Sequence, residues 1–149
     1  MAVAAAAFGA LVSAGSVVAA PMAPDSIATR QAGFKKMGAA MKTLKDALKG
    51  DAPGKAVTLG AVQTIAATAR EQPKLFPAGS GPAAGAKTDA LPNIWTNRAA
   101  FDAQMNKLLA ESAKLLAVAN GSDVAALRAQ TKATGEVCAG CHRQFRADN

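Results

Sequence analysis

Apolar side chains in this chain recur at intervals of three and four. An early stripe runs Ile27, Phe34, Met37, Met41, Leu44, Leu48, and a late seam runs Val124, Leu127, Thr131, Thr134, Cys138, Cys141, Phe145. Such spacing keeps one face of an α-helix turned to one side. No segment alternates with the period of two that a half-buried strand requires, so the predicted class is all-α.

Punctuation divides the pattern into four helices. Pro24-Asp25-Ser26 opens the first with a capping side chain, and Gly50 after Lys49 closes it in the C′ role. After the turn Asp51 to Gly54, a second helix is expected from Lys55 to Arg70, with Val62, Ile65, Ala66 and Ala69 on its apolar face. Glu71 to Leu91 holds Pro73, Pro77, Gly79, Gly81, Pro82 and Gly85 and reads as the longest irregular stretch. A third helix is expected from Pro92 to Ala119, ended by Asn120-Gly121, and Ser122-Asp123 caps a fourth that runs nearly to the C-terminus. Three-four seams joined by short links predict an antiparallel up-down-up-down four-helix bundle over residues 24–149, with an irregular helical domain as the alternative.

The first 23 residues carry no charge, and Ala2 to Ala20 are rich in Ala and Val. Gly9, Ser13, Gly15 and Ser16 interrupt that run, which barely reaches the roughly 20 residues of a membrane span. The small residues before Pro21 suit a signal peptidase. Residues 1–20 are therefore expected to be an export signal cleaved between 19 and 23, with a membrane anchor as the alternative. Either reading places the domain outside the cytoplasm, and the expected location is the periplasm.

Composition narrows the function. The chain has 149 residues, 17 Lys and Arg against 10 Asp and Glu, and 4% aromatics with no Tyr. Length suits one domain with its own core. The net +7 charge alone does not make a nucleic-acid binder, because the lysines are scattered without interleaved aromatics. The scarce residues are the informative ones: two cysteines and one histidine, all inside Cys138-Ala139-Gly140-Cys141-His142. Shuffling this composition places Cys-x-x-Cys-His together about once in ten thousand sequences, and the pentad is the attachment signature of c-type haem. Two thiols at i and i+3 share a helical face, as the two vinyl groups of one porphyrin require, and the imidazole beside them supplies an iron ligand. Because both cysteines lie in the core seam, the haem c would fill the bundle interior. A disulfide would be strained within a helix, a thioredoxin-like pair lacks its βαβ setting, and zinc lacks a fourth ligand.

At these residues the chain resembles the class II c-type cytochromes, the cytochrome c′ family and its low-spin relatives. The similarity spans nearly all of the chain beyond the leader: Arg30-Gln31 with Phe34 and Met37, Lys49-Gly50, Pro92-x-Ile94-Trp95, and Cys138-x-x-Cys141-His142 followed by Phe145-Arg146. It implies a left-handed bundle, often a homodimer through helices one and two. It also implies that the residue at Phe34 decides the sixth iron position. Low-spin relatives carry a ligating Met there, whereas Phe34 implies an open, apolar distal pocket and five-coordinate iron that binds NO and CO. Met37 then reads as soft core filler. The resemblance puts Arg30 near a haem propionate, Arg146 beside the proximal imidazole and Trp95 near the haem edge. Arg30 could instead be a solvated cation and Trp95 simple packing.

The alternative is a six-coordinate His/Met electron carrier, with Met22, Met37, Met41 or Met105 as the thioether. A second histidine ligand is excluded by the composition. Peroxidase chemistry is not expected, since no distal His, Arg or carboxylate is evident to assist it. Lys35, Lys36, Lys42, Lys45 and Lys49 crowd the first helix as a solvated face that could also steer an acidic redox partner.

Overall fold

The computed structural model describes residues 23–82 and 87–147. The expected leader at 1–20, its cleavage region and Met22 lie outside the described residues. Among those described, the helices are α1 (Ala23–Ala47), α2 (Lys55–Glu71), α3 (Asn93–Thr96), α4 (Arg98–Asn120) and α5 (Val124–Phe145). A 3-10 turn, Gln72–Leu75, prolongs α2. The four long helices form the predicted bundle. α1 packs on α2, α2 on α4 and α4 on α5, while α1 and α5 barely meet.

The core follows the apolar registers. Leu44 of α1, Val62 and Ile65 of α2, Phe101 and Leu115 of α4 and Phe145 of α5 are each at most 4% exposed, and burying such a side chain contributes about 1.5–3 kcal/mol. Thr131 and Thr134 sit in the same seam because their hydroxyls donate to Leu127 O at 2.7 Å and Gln130 O at 2.9 Å, which removes the cost of burying them. Phe34 and Met41 of α1, and Cys138 and Cys141 of α5, are only partly covered although they continue the stripes. The two seams are therefore less tightly filled at Phe34 and Met41 of α1 and at Cys138 and Cys141 of α5.

Helix ends depart from expectation in three places. α1 starts at Ala23, so Asp25 lies within its first turn, where a carboxylate favours the helix dipole, instead of ahead of it. α1 ends at Ala47, and Gly50 does not take the left-handed C′ conformation. Arg128 of α5 does that work from across the bundle, donating to Leu48 O at 3.0 Å and Gly50 O at 2.8 Å. The expected third helix is broken at Asn97 (φ −126°, ψ 55°), which separates α3 from α4. The break turns Trp95 onto the preceding loop, where its indole N–H donates to Pro77 O at 2.9 Å, and Arg98 reaches Phe76 O at 2.9 Å. The cap predicted for the last helix is present: Asp123 accepts from Ala126 N at 2.9 Å.

The loop between α2 and α3 is fastened at both ends. Arg30 of α1 holds its first half, as described below. Its second half lies along the end of α5 through Leu91 N to Phe145 O (3.0 Å), Ala147 N to Asp89 O (2.8 Å), Asn93 Nδ2 to Gln144 O (2.8 Å) and an antiparallel bridge between Ala90 and Arg146.

Candidate haem site

Where α1 and α5 stand apart, a cavity of about 840 Å³ opens between them. One wall is α5, with Val137, Cys138, Cys141, His142 and Phe145. The facing wall is α1, with Arg30, Phe34, Met37 and Met41, and the floor is Phe76 with Phe101, Met105 and Leu108 of α4. The volume falls in the range of cofactor pockets.

Cys138 and Cys141 are free and half-buried. Burial pushes the Cys138 thiol up despite the nearby Lys45, and burial together with Cys138 pushes Cys141 up to about 11. These are not the low-pKa thiolates of a redox dithiol, which disfavours the thioredoxin-like alternative on chemistry as well as on fold. Burial, and then the charge of Arg146, hold His142 below the usual imidazole range, which favours the neutral ring a metal needs. No group of three or more His, Cys, Asp or Glu among the described residues could hold a metal ion, so the zinc alternative has no support.

Arg30 is not the solvated cation that the sequence left open. It is 2% exposed. Its guanidinium donates to Leu75 O (3.2 Å), Ser80 Oγ (2.8 Å), Ser80 O (2.7 Å) and Thr88 Oγ1 (2.9 Å), and lies 4.6 Å from the centre of the Phe76 ring. Arg146 lines the cavity near His142; it caps α5 just past Phe145 as an extended residue (φ −123°, ψ 137°), its N–H on His142 O at 3.0 Å. Trp95 is not part of the cavity wall. It packs behind Phe76 with ring centres 6.3 Å apart, and its ring lies so close to Gly81 that a Cβ there would sit 3.0 Å from it.

Sequence reasoning missed Phe76, Phe101 and Leu108. The last two share a face with Met105 at i, i+4 and i+7, so the stripe was there to be read. Phe76, alone in a Pro- and Gly-rich stretch, carried no such signal.

The cavity suits a porphyrin. Its walls are mainly aliphatic, aromatic and thioether side chains, with two thiols and one imidazole on a single helix. Six cations, Arg30, Lys35, Lys42, Lys45, Lys49 and Arg146, border it against only Asp46 and Asp89, a balance that fits a flat apolar group bearing two carboxylates.

The family model of cytochrome c′ matches residues 25–146, the whole bundle. The chain belongs to the cytochrome c′ family. It is 40% identical to a cytochrome c′ of Rhodopseudomonas palustris over 124 residues, covering 83% of this chain and 82% of that one. A cytochrome c-556 of the same organism is 35% identical over 144 residues, 93% of this chain and 92% of that protein. Among solved structures, a nitric oxide complex of a variant cytochrome c′ from Alcaligenes xylosoxidans superposes with a TM-score of 0.77 at 25% identity, covering 85% of this chain and 97% of that one. Cytochromes c′ are c-type haem proteins built as four-helix bundles, and the α1–α5 cavity lies in the interior of this one.

Proposed function

We propose that this chain is a periplasmic haem c protein that binds nitric oxide and carbon monoxide. Cys138 and Cys141 would form the two thioethers and His142 the proximal ligand. The bound haem supplies an iron able to take a diatomic ligand in its remaining axial position. The observation that carries the reading is that the thiols and imidazole of α5 share one cavity with the phenyl ring of Phe34 on α1.

The residues of the chain then have separable tasks. Phe34, Met37 and Phe101 offer no hydrogen-bond donor to a ligand. Dioxygen, which gains most from such a donor, is disfavoured relative to NO and CO. Arg146 screens the imidazole side. Arg30, which lines the cavity while it fastens the loop, would serve a propionate. Trp95, outside the cavity wall, supports Phe76. Lys35, Lys42, Lys45 and Lys49 at the cavity rim would speed encounter with an acidic redox partner. A homodimer through α1 and α2 is proposed on the family resemblance. No enzymatic role is proposed.

A second reading, a low-spin electron carrier, has its own support: Met37, Met41 and Met105 all line the cavity, and the cytochrome c-556 relative aligns along 93% of the chain. Absorption spectra of the ferric and ferrous protein decide between the two. The gas-binding reading expects high-spin spectra at neutral pH and ready formation of NO and CO adducts. A methionine-to-iron charge-transfer band, lost in Met37→Leu, establishes the electron carrier instead.

A further inference from the structure

Phe34 stands between the cavity and Phe76. Its ring is half-buried, borders the cavity, and meets Phe76 edge-on with centres 6.3 Å apart and planes at 60°. Phe76, itself part of the cavity floor, is held on its other sides. It is 4% exposed and wedged between Phe101 at 4.7 Å, Trp95 at 6.3 Å and the guanidinium of Arg30 at 4.6 Å. Arg30 in turn is one helical turn before Phe34 and is tied down by its four hydrogen bonds to Leu75, Ser80 and Thr88. Phe34 can yield along the cavity, whereas on the loop side it meets a ring backed by Phe101, Trp95 and Arg30.

We propose that Phe76, clamped by Arg30, is a positioning residue for Phe34, setting how far the Phe34 ring gives way to an incoming diatomic ligand. The proposal rests on the reading of Phe34 as the distal residue. It assigns a part in ligand access to a loop residue 42 positions away in sequence from Phe34, and to an arginine whose contacts are with the loop. Touching rings of this kind have limited independent freedom, because edge-to-face pairs are held beyond their area burial.

The test is flash photolysis of the ferrous CO protein, with Phe34→Ala, Phe76→Leu and the double variant compared with the parent. Phe76→Leu should speed CO association about fivefold when Phe34 is present, a factor equivalent to losing one aromatic pair, and less than twofold in the Phe34→Ala background. Phe76→Tyr, which keeps the ring that Phe34 meets, should restore the parent rate. An equal factor in both backgrounds, or no change from Phe76→Leu, overturns the proposal and leaves the distal reading of Phe34 standing. No change from Phe34→Ala overturns both.

Ser80→Ala keeps the proposal falsifiable should Phe76→Leu fail to fold, since it weakens the hold on Arg30 without altering any ring. It should raise CO association about twofold and quicken the Phe34 ring flip seen by aromatic 13C NMR in the diamagnetic CO form. An unchanged flip and an unchanged rate remove Arg30 from the scheme.

Discussion

The two walls of the cavity are built on different plans. The α5 wall is local: Cys138, Cys141 and His142 lie within five consecutive residues of one helix, so helical geometry alone aims them at one place. The α1 wall is assembled. Phe34 comes from α1, but its position depends on Phe76 from a loop, and Phe76 depends on Phe101 of α4, Trp95 of α3 and Arg30 of α1 itself. A wall made by one helix can survive changes elsewhere, whereas an assembled wall can be retuned by residues that never touch the ligand. Attachment chemistry and ligand selection are thereby separated within one cavity.

Breaking the local wall should have the largest effect. Cys138→Ala with Cys141→Ala should abolish covalent haem, so that acid acetone extracts all pigment from the variant and none from the parent. The emptied cavity should cost more stability than the about 2–5 kcal/mol of a single large-to-small core substitution, read by chemical denaturation. On the assembled wall, Phe34→Met should change chemistry and leave attachment alone: a low-spin spectrum and loss of CO binding at unchanged haem content. An unchanged spectrum there would hand the distal position to Met37.

Smaller effects sharpen the contrast. Asp123→Ala removes the α5 cap and should cost about 1 kcal/mol without altering CO kinetics. At the rim, Lys42 and Lys49 both hydrogen-bond Asp46 at 2.6 Å and hold its carboxyl at about 2, below the ordinary 3.8. A carboxyl depressed by the fold stabilises it above its unfolded value and ceases to as pH falls through the folded one. Asp46→Asn should therefore lower stability slightly at neutral pH, the small loss expected for an exposed cluster, and converge with the parent as pH falls from 3.8 through 2. Thermal melts across that range would show it.

What was legible in the sequence follows the same division. The four long helices, the Asp123 cap and the pentad are statements about neighbours three or four residues apart, and Phe34, Met37 and Met41 were correctly grouped on one face. The break at Asn97, the burial of Arg30 and the role of Phe76 depend on partners further off. Arg30 is tied to residues 45 to 58 positions away, and nothing in the local spacing of an arginine on an amphipathic helix distinguishes a solvated cation from a buried anchor. Arg146 is found beside His142 at the cavity, but its extended backbone and its pairing with Ala90 across the loop were not legible in local spacing.

That pairing also bears on how the end of α5 opens. The last turn of a terminal helix ordinarily frays because its carbonyls face water. Here the carbonyl of Phe145 is taken by Leu91 N, and beyond it Ala147 N is anchored on Asp89 O. The loop and the final turn must consequently come apart together, as one cooperative unit. The amide protons of Leu91 and Ala147, 56 positions apart in sequence, should exchange with deuterium at a common opening rate, and that rate measures how often the imidazole-bearing turn is exposed.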